Sequence, residues 1–168
     1  MTSYVTSSDI AVKSLPGVYR SRMSVYPGVA KARHKRYGDQ AVKIVALALP
    51  ILKEVLDLPP DLRIRLASIK GQWHGRYNSA NKTAVVDYIN TKVSTLEMLC
   101  HELVHAEQHH QGRLKVKRVA GQWVSLWHDK PVRASYRNRP YEKEAYARQV
   151  ELRELVIQRV GIEKWCSI

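Results

Sequence analysis

The sequence predicts an α+β domain in which a three- to four-stranded, mostly antiparallel sheet packs on a central helix and a C-terminal helix. Apolar residues recur at helical spacing in three stretches, and elsewhere they alternate with polar ones. With 168 residues, 45% hydrophobic and 26% charged, the chain is long and apolar enough for one core. Its longest apolar run, Ile44 to Leu52, contains Pro50 and falls short of the ~18–20 residues a membrane helix needs.

In chain order, residues 1–38 are expected to form a basic, loosely ordered arm, and residues 39–168 the folded domain. The arm has few aliphatic periodicities and two turn signals, Pro16-Gly17 and Pro27-Gly28, with Arg20, Arg22, Lys31, Arg33, Lys35 and Arg36 around them. A core helix should begin near Asp39 and carry Val42, Ile44, Val45, Leu49 and Leu52 inward. Pro50 should kink or split it, and Pro59-Pro60 should end it. Leu62, Ile64 and Leu66 alternate with polar neighbours, and Ala84-Val85-Val86 is a second β-rich run, so residues 62–88 read as about three strands.

Ser94 and Glu97 have capping-box spacing and should open the next helix, with Leu96, Leu99, Cys100, Leu103 and Val104 as its apolar stripe and Gly112 as its stop. Residues 114–128 alternate again and predict a hairpin turning at Ala120-Gly121. The last helix should start at Pro140 and stop before Gly161.

Charge narrows the partners. Lys and Arg number 28 against 15 Asp and Glu, a net +13 that favours polyanions: nucleic acid reached through the arm, an anionic surface or an acidic protein. Two cysteines, Cys100 and Cys166, are too few for a disulfide framework. The start, Met1 to Asp9, has neither a basic head nor an apolar block. A cytoplasmic protein with reduced thiols, without a membrane partner, is the expectation.

Chemistry concentrates in His101-Glu102-Leu103-Val104-His105. On a helix, residues i and i+4 share a face, so both imidazoles can reach one metal ion, and zinc suits such a pair. Glu102 leans toward the same place and is the candidate general base. A catalytic zinc needs a third protein ligand. The compact pattern with a third histidine ten residues after the first fails, because Gln111 stands there; His109 and His110 sit at the end of the same helix and cannot fold back easily. Downstream, Glu142 and Glu144 start the last helix. Glu142 shares a face with Ala145, Gln149, Leu152 and Val156, whereas Glu144 shares one with Ala147, Arg148 and Glu151. The first face is more apolar, so Glu142 is preferred and Glu144 is the alternative. Tyr136, Tyr141, His74 and His128 are the candidate oxyanion-stabilising donors, with Tyr136 the catalytic candidate. Trp73 and His74 are candidate substrate-binding residues on a strand lining the cleft. Trp73, Trp123 and Trp127 are expected in the core or the cleft wall.

The segments Leu99-Cys100-His101-Glu102-Leu103-Val104-His105-Ala106-Glu107-Gln108 and Pro140-Tyr141-Glu142-Lys143-Glu144-Ala145 resemble the zincin-type metallopeptidases. The likeness is to small gluzincin-like proteins of phages and bacteria with the patterns H-E-L-x-H-x-x-Q and P-[WY]-E-x-E-A, and it covers about residues 62–157. It implies a small zincin-like domain and one zinc per chain held by two histidines and a glutamate. It further implies the motif glutamate as general base, and a sheet whose edge strand binds an extended peptide substrate. A basic nucleic-acid-binding protein, or a DNA-associated protease, is the competing expectation.

Overall fold

The computed structural model describes residues 18–20, 29–67, 69, 74–88 and 91–168, with only the backbone given before residue 36. Twelve elements follow one another: strand β1 (Val18–Arg20), helix α1 (Val29–Val55), strands β2 (Arg63–Ala67), β3 (Gly75–Asn78) and β4 (Thr83–Asp87), helix α2 (Lys92–His110), strands β5 (Leu114–Val119), β6 (Gln122–Trp127) and β7 (Lys130–Pro131), a 3-10 turn (Tyr136–Asn138), and helices α3 (Pro140–Val160) and α4 (Ile162–Cys166). The class is α+β.

The strands form two sheets. The first has the order β1-β2-β4-β3, and the second is the antiparallel set β5-β6-β7. In the first sheet β1, β2 and β4 run parallel, and only β3 is antiparallel, paired to β4 from Gly75↔Val86 to Asn78↔Thr83. The expectation of a mostly antiparallel sheet therefore holds for the second sheet and not for the first. Alternation reports which face a residue takes and is blind to strand direction. The five buried residues of β4 fit its central place, covered on both faces. β1 and β3 are the edges of this sheet among the described residues.

α1 starts at Val29, ten residues before the expected cap, and runs unbroken through Pro50. Pro50 is exposed, so the backbone bond it forfeits lies at the helix's outer side, where water can replace it. The boundary at residue 38 thus falls inside a helix, and Val18–Arg20 adds as a strand to β2. The remainder of the expected arm, including both Pro-Gly turns, lies outside the described residues. α2 is capped by Thr91, whose side chain accepts from the Ser94 N–H; the Ser94–Glu97 box does not form, and Glu97 hydrogen-bonds to Arg153 instead.

Other turns follow local chemistry. Ala120 and Gly121 both have positive φ, 48° and 82°, as a two-residue hairpin turn of type I′ requires. The core lies between the first sheet and the helices. Leu96, Leu99 and Leu103 of α2 meet Ile44, Val45 and Leu52 of α1, Ile64 and Val86 of the sheet, and Ala145 and Val156 of α3. Each buried aliphatic side chain contributes about 1.5–3 kcal/mol. Among the described residues, no helix is long and apolar enough to cross a membrane.

Candidate metal centre

The sequence folds so that α2 and α3 lie side by side, and the site sits between them under the edge strand. α2 turns a buried face toward α3 along its second half, from Leu99 to Gln108. Ala145 is fully buried, and its small side chain permits the close approach of α3. Glu142, in the first turn of α3, is thereby carried to the two histidines.

His101 Nε2 and His105 Nε2 are 3.1 Å apart, and Glu142 Oε2 is 3.4 Å from the first and 3.5 Å from the second. The three residues can hold one metal ion. Their triangle has nearly the edge of a tetrahedron, ~3.3 Å, around an ion with ligands at ~2.0–2.1 Å. All three side chains are buried.

Hydrogen bonds behind the imidazoles aim them. His105 Nδ1 is 2.8 Å from Gln108 Oε1, and Gln108 Nε2 donates to the Tyr141 carbonyl at 3.0 Å, which fixes the amide's orientation. Nδ1 of His105 therefore carries the proton, and Nε2 presents a lone pair to the centre. His101 Nδ1 lies 2.9 Å from Gln149 Oε1, which accepts from it when Nδ1 carries the proton and Nε2 faces the centre. Two bare nitrogens and a carboxylate oxygen then face one point, and such a point calls for positive charge. Burial works to lower the pKa of His105, but the Glu142 hydrogen bond and the Glu102 charge outweigh it and raise the value. Burial likewise opposes ionisation of Glu142, yet the two imidazoles and the Tyr136 hydroxyl hold it down at about 2.

Glu102 stands beside the triad and is not part of it. Its Oε2 has no hydrogen-bond partner among the described residues. Burial pushes its pKa up to about 7, with the charges of His105 and His101 working against that rise. Gly75 of β3 makes room for it: a Cβ there would come within 2.7 Å of both Glu102 Oε1 and Met98 Sδ.

The centre opens to solvent on two sides. An upper lobe of about 470 Å³ is lined by His74, Met98, Arg137, Tyr146 and Gln149, among others. A lower lobe of about 240 Å³ is lined by Arg76, His109, Leu114, Val116 and Ser125, among others. Gly75, Glu102 and Tyr136 border both lobes. No protein-family model, curated protein or solved structure matches the chain.

The other sequence candidates separate clearly. Glu144 is tied to Arg113 at 2.6 Å and to Arg148 at 3.2 Å and stays out of the triad. Tyr136 hydrogen-bonds to Glu142; burial and that charge raise its pKa, so its hydroxyl remains a donor. His74 lines the upper lobe, with Nδ1 3.6 Å from Asp87. Trp73 lies outside the described residues. Tyr141 is buried, and its hydroxyl donates to Ser125. His128 packs on Trp127 and borders neither lobe. Trp123 is neither core nor sheltered wall: it is 74% exposed on the β5–β6 hairpin. Sequence reasoning missed Tyr146, whose ring lies 4.8 Å from that of His101, and assigned no role to Gly75, Gln108 or Gln149. The i+7 spacing of Gln149 from Glu142 had already placed it on the inward face, and that was the available signal.

Proposed function

We propose that this protein is a zinc-dependent endopeptidase. The observation that carries this reading is the convergence of His101 Nε2, His105 Nε2 and Glu142 Oε2 beside a buried Glu102 Oε2, unpartnered among the described residues, at an open cleft. Two imidazoles and one carboxylate suit zinc, whereas calcium and magnesium prefer oxygen-only sets. Zinc in such a site supplies Lewis acidity, lowering the pKa of water toward ~7 and polarising a carbonyl.

This reading gives each step left to the chain to a named residue. Glu102 takes a proton from the attacking water at its buried Oε2 and returns it to the leaving amine. The Tyr136 hydroxyl, at the meeting of the two lobes, would exchange its bond to Glu142 for one to the oxyanion. β3 is an edge strand along the cleft, and an extended peptide would pair with it as a further strand. Gln108 and Gln149 orient the imidazoles.

The test is metal analysis together with cleavage of an unstructured protein such as casein. The proposal expects one zinc per chain, cleavage abolished by a chelator and restored by zinc, and a Glu102→Gln variant that keeps zinc but loses turnover. Normal cleavage by that variant would overturn the mechanism. The rival, a nucleic-acid-binding protein, rests on the net charge of +13 and requires no stoichiometric zinc.

A further inference from the structure

We propose that the cleft takes an extended acidic polypeptide, and that the β5–β6 hairpin continues its binding surface through Val116, Arg118 and Trp123. The inference rests on the peptidase reading for the orientation of the chain in the cleft.

Cross-strand partners in an antiparallel pair share a face. Leu114 pairs with Trp127, Val116 with Ser125 and Arg118 with Trp123. Leu114, Val116 and Ser125 line the lower lobe with His105 and Glu142. The same hairpin face therefore leads outward from the metal centre to Arg118 and Trp123. Val116 is 48% exposed and Trp123 is 74% exposed, an apolar strip that begins in the cleft.

Charge selects the occupant. Arg76 borders the lower lobe and Arg137 the upper, and neither has an acidic partner among the described residues. Arg118 bonds only to the Gly121 carbonyl there. The acids near the cleft are already engaged: Glu142 by the histidines and Glu97 by Arg153, with Glu102 in the centre. Residues 113–139 hold eight Lys and Arg against the single acid Asp129, so they supply +7 of the chain's +13. An acidic chain meets cations on both sides of the centre, and among the described acids lining the cleft only Glu102, buried at the centre, lacks a partner.

A single-stranded nucleic acid would meet the same cations, but the site suits it less. β3, an edge strand among the described residues, offers backbone donors and acceptors at peptide spacing. Such a ladder matches a polypeptide, and Trp123 alone is a short platform for successive bases.

The test uses the full-length, zinc-loaded Glu102→Gln variant and fluorescence anisotropy at physiological ionic strength. Its probes are labelled peptides of equal length with a central leucine and flanking Asp/Glu, Asn/Gln or Lys/Arg, and a labelled oligothymidine. The acidic peptide should bind about tenfold tighter than its amide counterpart, the sum of several exposed charge contacts. Adding Arg118→Glu or Trp123→Ala should weaken it by about fivefold, and the Arg118 change should erase most of the preference. Equal affinity for acidic and amide peptides overturns the proposal. So does tighter binding of oligothymidine that Arg118→Glu abolishes, which would make the hairpin a nucleic-acid surface. Wild-type cleavage of the same peptides, followed with and without zinc, separates the two readings. Charge-selective binding without zinc-dependent cleavage sinks the peptidase reading alone. Zinc-dependent cleavage indifferent to charge sinks the acidic-substrate inference alone.

Discussion

Gln108 locks His105 to the start of α3: its Oε1 accepts from His105 Nδ1 at 2.8 Å while its Nε2 holds the Tyr141 carbonyl at 3.0 Å. Tyr141 immediately precedes Glu142, so one fully buried amide sets both a ring orientation and the position of the third candidate ligand. Gln108→Leu keeps the volume roughly and removes both bonds. Zinc affinity should fall by about 10–100-fold, the usual effect of losing a group that orients a metal-bound histidine. Competition against a chromophoric chelator measures it, and unchanged affinity would show that Gln108 is mere packing.

Glu142 and Glu144 make a matched pair of controls. Glu142→Ala should abolish stoichiometric zinc, because two imidazoles alone grip the ion weakly. Glu144→Ala should keep zinc. It removes the ion pairs with Arg113 and Arg148, partly exposed, and should cost up to about 1 kcal/mol of stability. Elemental analysis of the two variants side by side decides, and zinc loss in the Glu144 variant instead would relocate the ligand.

Gly75→Ala tests how closely the edge strand and Glu102 must approach. The added methyl would sit 2.7 Å from Glu102 Oε1, so the carboxylate or the strand must shift. The triad does not touch Gly75 and should retain zinc. Turnover should fall by about 10²-fold, the scale of a small misplacement of a reacting group. Full activity in a zinc-loaded Gly75→Ala would mean that Glu102 is not held where it works.

How far the site could be read beforehand depends on whether each residue's signal is local. His101 and His105 are one helical turn apart, so their shared face follows from helix geometry alone. Glu142 could be preferred over Glu144 because Ala145, Leu152 and Val156 mark the buried side of α3. The role of Gly75 was illegible, because it arises from a strand meeting a helix across the fold. The parallel pairing of β1, β2 and β4 was equally hidden, since which strands meet and in which direction is set by the connections across the fold and not by any one strand's residues. Thr91 won the cap of α2 over Ser94 by accepting from the Ser94 amide, and a one-turn displacement of that kind is ordinary at helix ends. Trp123 was misplaced because a large aromatic is usually buried, and the hairpin carries it outward near its tip, where it is 74% exposed.

Glu102 should make the metal-free protein less stable as pH rises. Burial raises its folded pKa from 4.5 to about 7. A folded value above the unfolded one means that the native state binds the proton more tightly; the stability this lends is complete below about pH 4.5 and is lost as pH climbs through about 7. The shift corresponds to about 3 kcal/mol at most. Glu142 acts in the opposite direction in a separate window, since its pKa of about 2 lends stability above pH 4.5 that disappears as pH falls toward 2. Glu102→Gln removes the first effect and leaves the second. Chelator-treated Glu102→Gln should therefore unfold at higher denaturant than chelator-treated wild type at pH 8, by up to about 3 kcal/mol, and match it near pH 4.5. Zinc should narrow the gap at pH 8, because a cation beside the carboxylate favours its charged form. A gap that persists unchanged at pH 4.5 would assign the destabilisation to packing rather than to the buried charge.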